Sequence, residues 1–425
     1  MRAHSKLVYM FYFLLIVFLS VPRIIDGGWR GIIEPMDMRI LENNVIQHEA
    51  HLMLRSTHAM LSNDISQEFT LQFSSSEYRA LIPIYTQALF TFITNSYFWG
   101  GILSEIVWWW LGSVCTFVLS LRMGNNRIVS SMSGLLAASS PLAVAQIGAG
   151  HLHAASSLAL PIVMLLGWDA LHRVGSAAVS IIMISFIFFT ASIFYVHHWI
   201  VIPWLLMMAL LSNNRAQLVL QVSVSIAGFL LINYFVHATM NIVGLRVHTD
   251  QLNDPSVLLS AHYLHITNVF TSSDRWNLGL VAIILEESSR LLSNITDFGI
   301  YYGWPIAILA GVGVLSTDNR LNRVNFCLFF LLALMQGFIT SQAWVLMSTF
   351  PCIYICSSLG THWSSVQLKI LVRKILPKAD SRFFINIQRT ILATLMILCV
   401  GFTNQDLWGN SQFVLNWLKN GYKYH

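Results

Sequence analysis

Charge is what this chain has least of. Only 10% of its 425 residues are Asp, Glu, Lys or Arg, against about 25% in a soluble globular domain. With 56% hydrophobic residues and a mean hydropathy of +0.63, it excludes an ordinary soluble fold and reads as an integral membrane protein. Cysteine is scarce as well. Cys115, Cys327, Cys352, Cys356 and Cys399 all fall within apolar runs, which excludes a disulfide framework in exposed loops. The Cys352/Cys356 spacing suits packed or lipid-facing small residues better than a metal site. The chain has no Walker loop, dinucleotide fingerprint, haem motif, serine nucleophile elbow or solenoid repeat. Its formal net charge of +5 does not point to nucleic acid, because the basic residues sit in short connections.

Long apolar runs are what the sequence does have. In a bilayer every backbone polar group must be satisfied internally, and runs of about 20 residues achieve that as helices. The expected fold is all-α: a polytopic membrane helix bundle of about eleven transmembrane helices, with amphipathic helices at the external surface. Residues 1–425 form one integral membrane domain. The first span covers about 7–22, with Arg2 and Lys6 ahead of it, and lacks a small-residue cleavage site, so it is read as uncleaved. Further spans fall at about 103–121, 128–148, 153–171, 177–196, 199–212, 217–238, 299–316, 324–341, 343–359 and 389–404. Residues 80–98 are apolar but carry Pro83, Gln87 and Asn95, and are read as a partly inserted or surface helix.

Charge checks that arrangement independently. The connections Arg122–Arg127, His172–Arg173, Arg215 and Arg320–Arg323 are basic, as is Lys369–Arg389. The positive-inside rule makes them cytoplasmic. Segments 23–102 and 239–298 then face outward as two large external loops, and 361–388 is a basic cytoplasmic linker. The N-terminus is cytoplasmic and the tail 405–425 external. A full crossing by 80–98 would invert every later loop.

The first external segment carries the densest chemistry. Pro35 suits the first turn of a helix, preceded by Glu34 and followed by Asp37. Met38, Leu41, Val45, His48 and Leu52 recur at helical spacing, with Asn44, Gln47 and His51 on the other face, as in a helix lying on a membrane. Asp37, beside Arg39 and Glu42, is placed to act as a general base toward an acceptor hydroxyl or amine. The plainer alternative is that Glu34 and Asp37 only favour the helix dipole. His48-Glu49-Ala50-His51 spaces its histidines one residue short of the zinc-protease pattern, so a metal site there is disfavoured.

Other outward-facing residues extend the candidate set. His151 and His153 lie at the turn of IGAGHLHAASSLALP, and His197 and His198 end another span on the same face. They suit a phosphate oxygen, a metal ion shared with a carboxylate, or simple interfacial packing. Arg246 and Arg275 are the natural partners of a lipid phosphate or diphosphate, since guanidinium matches phosphate oxygens bidentately. Trp108, Trp109 and Trp110 follow Glu105 and read as an aromatic belt. Asn294-Ile295-Thr296 fits the glycosylation sequon, which matters only in a eukaryote.

This layout resembles the GT-C superfamily of integral membrane glycosyltransferases, which includes protein O-mannosyltransferases. One span is followed by a large external loop with an acid soon after the membrane exit. Asp37-Met38-Arg39 looks like the superfamily's loop-one Asp with a nearby Arg, although the common paired Asp-Glu is absent. GHLHAASSLALP and FGIYYGWPIAILAGVGVL are similar to a prokaryotic subgroup related to YfhO-type proteins. The resemblance implies transfer of a sugar from a polyprenyl-phosphate donor to an acceptor on the external face of the plasma membrane, in the cell envelope. Asp37, with Glu34, would be catalytic, and Arg246, Arg275, His151 and His153 would bind the donor phosphate. A divalent metal ion is compatible with that scheme and not required by it. Two other readings remain: a transporter or flippase of lipid-linked or small polar cargo, and a non-catalytic transferase-like scaffold. Transporters usually carry mid-span charges and two similar halves, and neither is evident here.

Overall fold

The computed structural model describes residues 2–29, 81–140, 158–194, 200–242, 304–318, 322–323, 327, 350–377, 379–397 and 399. These residues are helical throughout, with no strand among them. In chain order the helices are α1 (Arg2–Trp29), α2 (Leu81–Thr94), α3 (Tyr97–Arg122), α4 (Arg127–Ala138) and α5 (Leu160–Arg173). They continue with α6 (Ala177–Phe194), α7 (Val201–Leu211), α8 (Arg215–Ile242), α9 (Trp304–Ser316), α10 (Phe350–Ile375) and α11 (381–397).

Local signals set the helix boundaries. Asn126 caps α4, its side chain accepting from the Val129 N–H at 2.9 Å. Ser96 caps α3 in the same way, and Asn95 before it takes the left-handed conformation (φ 51°) that lets α2 turn back along α3. Gly124, at φ 85°, turns the chain from α3 into α4. Such tight connections leave consecutive helices no choice but to pack side by side.

Helix α3 is the hub of the bundle, packing against α1, α2, α4, α5 and α10. Through α5 it is joined to a second group, α6, α7 and α8, while α9 and α10 form the most intimate pair. There Gly313 and Gly360 face each other. A Cβ on Gly313 would run into the Cys356 carbonyl oxygen, and one on Gly360 into that of Leu309. Small residues that let backbones touch are how helices associate where no hydrophobic force distinguishes lipid from protein.

Side-chain hydrogen bonds then fix the register. Tyr12 donates to the Ser131 carbonyl at 2.6 Å, Trp109 to Ala137 at 2.8 Å and Trp110 to Tyr9 at 3.0 Å. Two of the three tryptophans therefore tie α3 to α4 and α1 instead of forming an aromatic belt. Trp109 is buried in the core.

The outward surfaces are apolar. On α1, Tyr12 and Ile16 face the core, while Leu7, Met10, Phe11, Leu14 and Phe18 are exposed. A helix apolar on every side suits a bilayer, not water. Among the described residues two helical stretches are long and apolar enough to cross a membrane, Trp99–Arg122 and Arg215–Phe235. Shorter apolar stretches occur at Lys6–Ser20, Arg127–Ala138, Ala177–Ala191 and Val201–Leu211. The expected count of about eleven spans is thus not reached by these helices. Two ends also differ from the sequence expectation. Helix α1 runs on through Pro22 to Trp29, and α10 continues beyond 359 to Ile375, so much of the stretch 361–388 is helical.

Candidate functional site

Asp37, Glu34, Arg246, Arg275, His151, His153, His197 and His198 lie outside the described residues, as do the HEAH motif and the glycosylation sequon. The structure therefore bears on the helices that flank them in the chain, above all on α2 and α3, which follow the segment bearing Glu34 and Asp37.

Helix α2 lies along the N-terminal half of α3. The Thr91 backbone comes close enough to Gly100 that a Cβ there would overlap it, and the Gln87 side-chain amide sits over Gly101. This face is polar and dry. Gln87, Thr91, Ser104 and Glu105 are all buried, and Glu105 is the single buried charged residue among those described. The opposite face of α2 exposes Leu89, Phe92 and Ile93, as expected of a helix whose outer side meets lipid. Gly101, Glu105, Trp108 and Gly112 recur at helical spacing along α3, and a Cβ on Gly112 would overlap the Leu158 carbonyl oxygen just before α5. The stripe therefore links α2 to the start of α5. That start lies immediately after the segment containing His151 and His153.

The far end of the bundle has another character. Asp169 on α5 pairs with Arg122 at the end of α3 (2.9 Å) and with Arg173 one turn later (3.2 Å). Asn125 and Asn322 exchange side-chain hydrogen bonds, one of them at 2.9 Å, and Asn125 also donates to Ser120. His172 stacks on Trp168 with ring centroids 4.1 Å apart. Burial lowers its pKa below the ordinary histidine value, outweighing the Trp168 carbonyl and the Asp169 charge, which act the other way. These groups satisfy one another and hold the helix ends together. They make a structural lock, which residue spacing alone did not reveal; only Asp169–Arg173, one helical turn apart, was readable from the sequence.

Among the described residues no cluster of three or more His, Cys, Asp or Glu is placed to hold a metal ion. Cys352 and Cys356 are buried and packed within α10, Cys356 contacting the Asn322 carbonyl at 3.9 Å.

No family model and no curated protein matches this chain. Among solved structures, its fold is similar to the crystal structure of the Archaeoglobus fulgidus oligosaccharyltransferase in the apo form, with a TM-score of 0.54 at 10% sequence identity. That match covers 99% of this chain and 58% of the archaeal one, so the chain spans a little over half of its neighbour's length. The likeness is one of fold.

Proposed function

We propose that the protein is a GT-C type membrane glycosyltransferase, moving a sugar from a polyprenyl-phosphate-linked donor to an acceptor on the external face of the cell membrane. The observation that carries the proposal is the fold similarity to an oligosaccharyltransferase over 99% of this chain. The sequence layout adds to it, with one span, then an acidic external segment, then an unbroken series of spans. The YfhO-type subgroup stays a finer resemblance, resting on GHLHAASSLALP and FGIYYGWPIAILAGVGVL.

In this reading Asp37 takes the proton of the acceptor nucleophile, with Glu34 beside it in sequence. Arg246 and Arg275, with His151 and His153, hold the carrier phosphate and stabilise the charge that grows on it as the sugar departs. The α2/α3 face forms the dry floor of the site. Its buried Glu105, Gln87 and Thr91 are the polar groups on the helices that follow the loop bearing Asp37. The fold likeness to a transferase favours this reading over a transporter or an inert scaffold.

The test is Asp37→Asn, assayed in membranes for transfer from a polyprenyl-phosphate-linked sugar. Loss of a general base typically costs about 10²–10⁴-fold in rate. The variant should be inserted normally and lose transfer by that order. Full activity in an inserted Asp37→Asn protein overturns the assignment.

A further inference from the structure

We propose that the hairpin formed by the end of α10 and the start of α11 is an interfacial docking element for anionic phospholipid headgroups. It rests on no assumption about chemistry at Asp37.

The exposure pattern along α10 changes abruptly. From Cys352 to Thr361 the helix is mostly buried against α9 and α4. Trp363 is then exposed, and Leu368, Ile370, Leu371 and Ile375 follow it outward. Interleaved with these are Lys369, Arg373 and Lys374. The chain turns at 376–380, where Asp380 accepts from the N–H of Phe383 and from the Ser381 hydroxyl. It returns as α11 with Arg382, Phe383, Ile385 and Arg389 exposed. Two contacts clamp the arms together: Lys369 Nζ donates to Gln388 Oε1 at 3.0 Å, and the Arg373 guanidinium lies 5.9 Å over the Phe384 ring.

The hairpin thus pairs five cations (Lys369, Arg373, Lys374, Arg382, Arg389) with one acid, Asp380, among its described residues. Its apolar side chains point outward beside them. Water alone is a poor cover for such a surface. A leaflet with anionic headgroups matches both halves, burying the apolar side chains at the acyl boundary and pairing the cations with phosphate. Two features favour lipid over an acidic protein. Trp363 sits where the buried part of α10 ends, the place an interfacial tryptophan takes. The hairpin is also continuous with helices whose outward surfaces are already apolar, so the bilayer that meets them lies beside it. Lys374, Arg382 and Arg389 make none of the clamp contacts and project from exposed positions, which leaves them available for headgroups.

The experiment uses the full chain in mixed micelles, titrated with brominated phosphatidylglycerol or brominated phosphatidylcholine. The signal is the tryptophan quenching that disappears in Trp363→Phe. The wild type should prefer phosphatidylglycerol by at least about fivefold, the factor expected for one basic residue near a charged surface. The triple variant Lys374→Gln/Arg382→Gln/Arg389→Gln should lose that preference, while Lys374→Arg/Arg382→Lys/Arg389→Lys should keep it. Elution position in size exclusion checks that each variant is folded, and the charge-conserving variant guards against a purely structural loss. Equal quenching by the two lipids in the wild type overturns the proposal, as does a preference that survives neutralisation. Displacement of the quencher by millimolar inorganic phosphate would show a free-anion site, and displacement by polyglutamate an acidic-protein site. Either result also overturns it.

Discussion

At the scale of single residues, the structure shows which polar groups hold the scaffold together. His172 is one of them. Its imidazole stacks on Trp168 at the basic end of α5, and burial lowers its pKa below the ordinary value of 6.5. A histidine depressed in the folded state binds fewer protons there than when unfolded. Its contribution is therefore fully present above the unfolded value and is lost as pH falls through the folded one. Thermal stability in detergent should decline as pH drops below about 6.5, and His172→Phe, which keeps the ring and removes the titration, should flatten that slope. A slope identical in the variant would assign the acid sensitivity elsewhere. Little of this was legible in the chain. A histidine beside an arginine announces a basic connection, but stacking on Trp168 is invisible without the fold. Trp109 teaches the same point, since a run of three tryptophans reads as a belt until one of them is found donating to Ala137 across a helix boundary.

At the scale of elements, hydrophobic runs located most helices well and their ends poorly. Helices α3, α6 and α8 coincide closely with the apolar stretches 103–121, 177–196 and 217–238, because unbroken apolar sequence leaves the backbone no alternative to helix. Helix α10 overran its expected end because Lys and Arg interrupt hydropathy without breaking a helix; both are good helix formers. The α9/α10 contact was hidden for a different reason. Nothing in local sequence says that Gly313 should meet Gly360. Both glycines stand where a Cβ would strike a carbonyl of the partner helix. Gly360→Leu should therefore force the pair apart and cost about 1–3 kcal/mol, the usual range for overpacking. Gly311→Ala, on the same helix with nothing within 4 Å of its would-be Cβ, should not destabilise and should gain slightly from its better helix propensity. The two midpoints of thermal unfolding, measured side by side, decide it. Equal midpoints would mean that the crossing is looser than its geometry.

At the scale of the whole molecule, the question is which end of the bundle faces the cytoplasm. The ion pairs of Asp169 with Arg122 and Arg173 bring the C-terminal ends of α3 and α5 together. Helix α4 runs back along α3 after the tight turn at Gly124, and α6 and α8 run parallel, with Ser180 meeting Gln221 and Ser185 meeting Ser225. Arg127, Arg173 and Arg215 thereby start or end their helices on one side, the clustering that the positive-inside rule assigns to the cytoplasm. Helix α2 is the element on which this turns. Its 14 residues reach about 21 Å at 1.5 Å per residue, short of a hydrocarbon core of about 30 Å. Paired along α3, it is expected to dip into the bilayer on the external side and return. Reporter fusions after residues 100 and 174 should accordingly read external and cytoplasmic. An external reading at 174 would mean that α2 completes a crossing, so that every connection after it is inverted while the segment bearing Asp37, which precedes it, keeps its side. In that arrangement the basic hairpin of α10 and α11 would lie outside, so the same pair of fusions tests the leaflet on which its lipid partners must be sought.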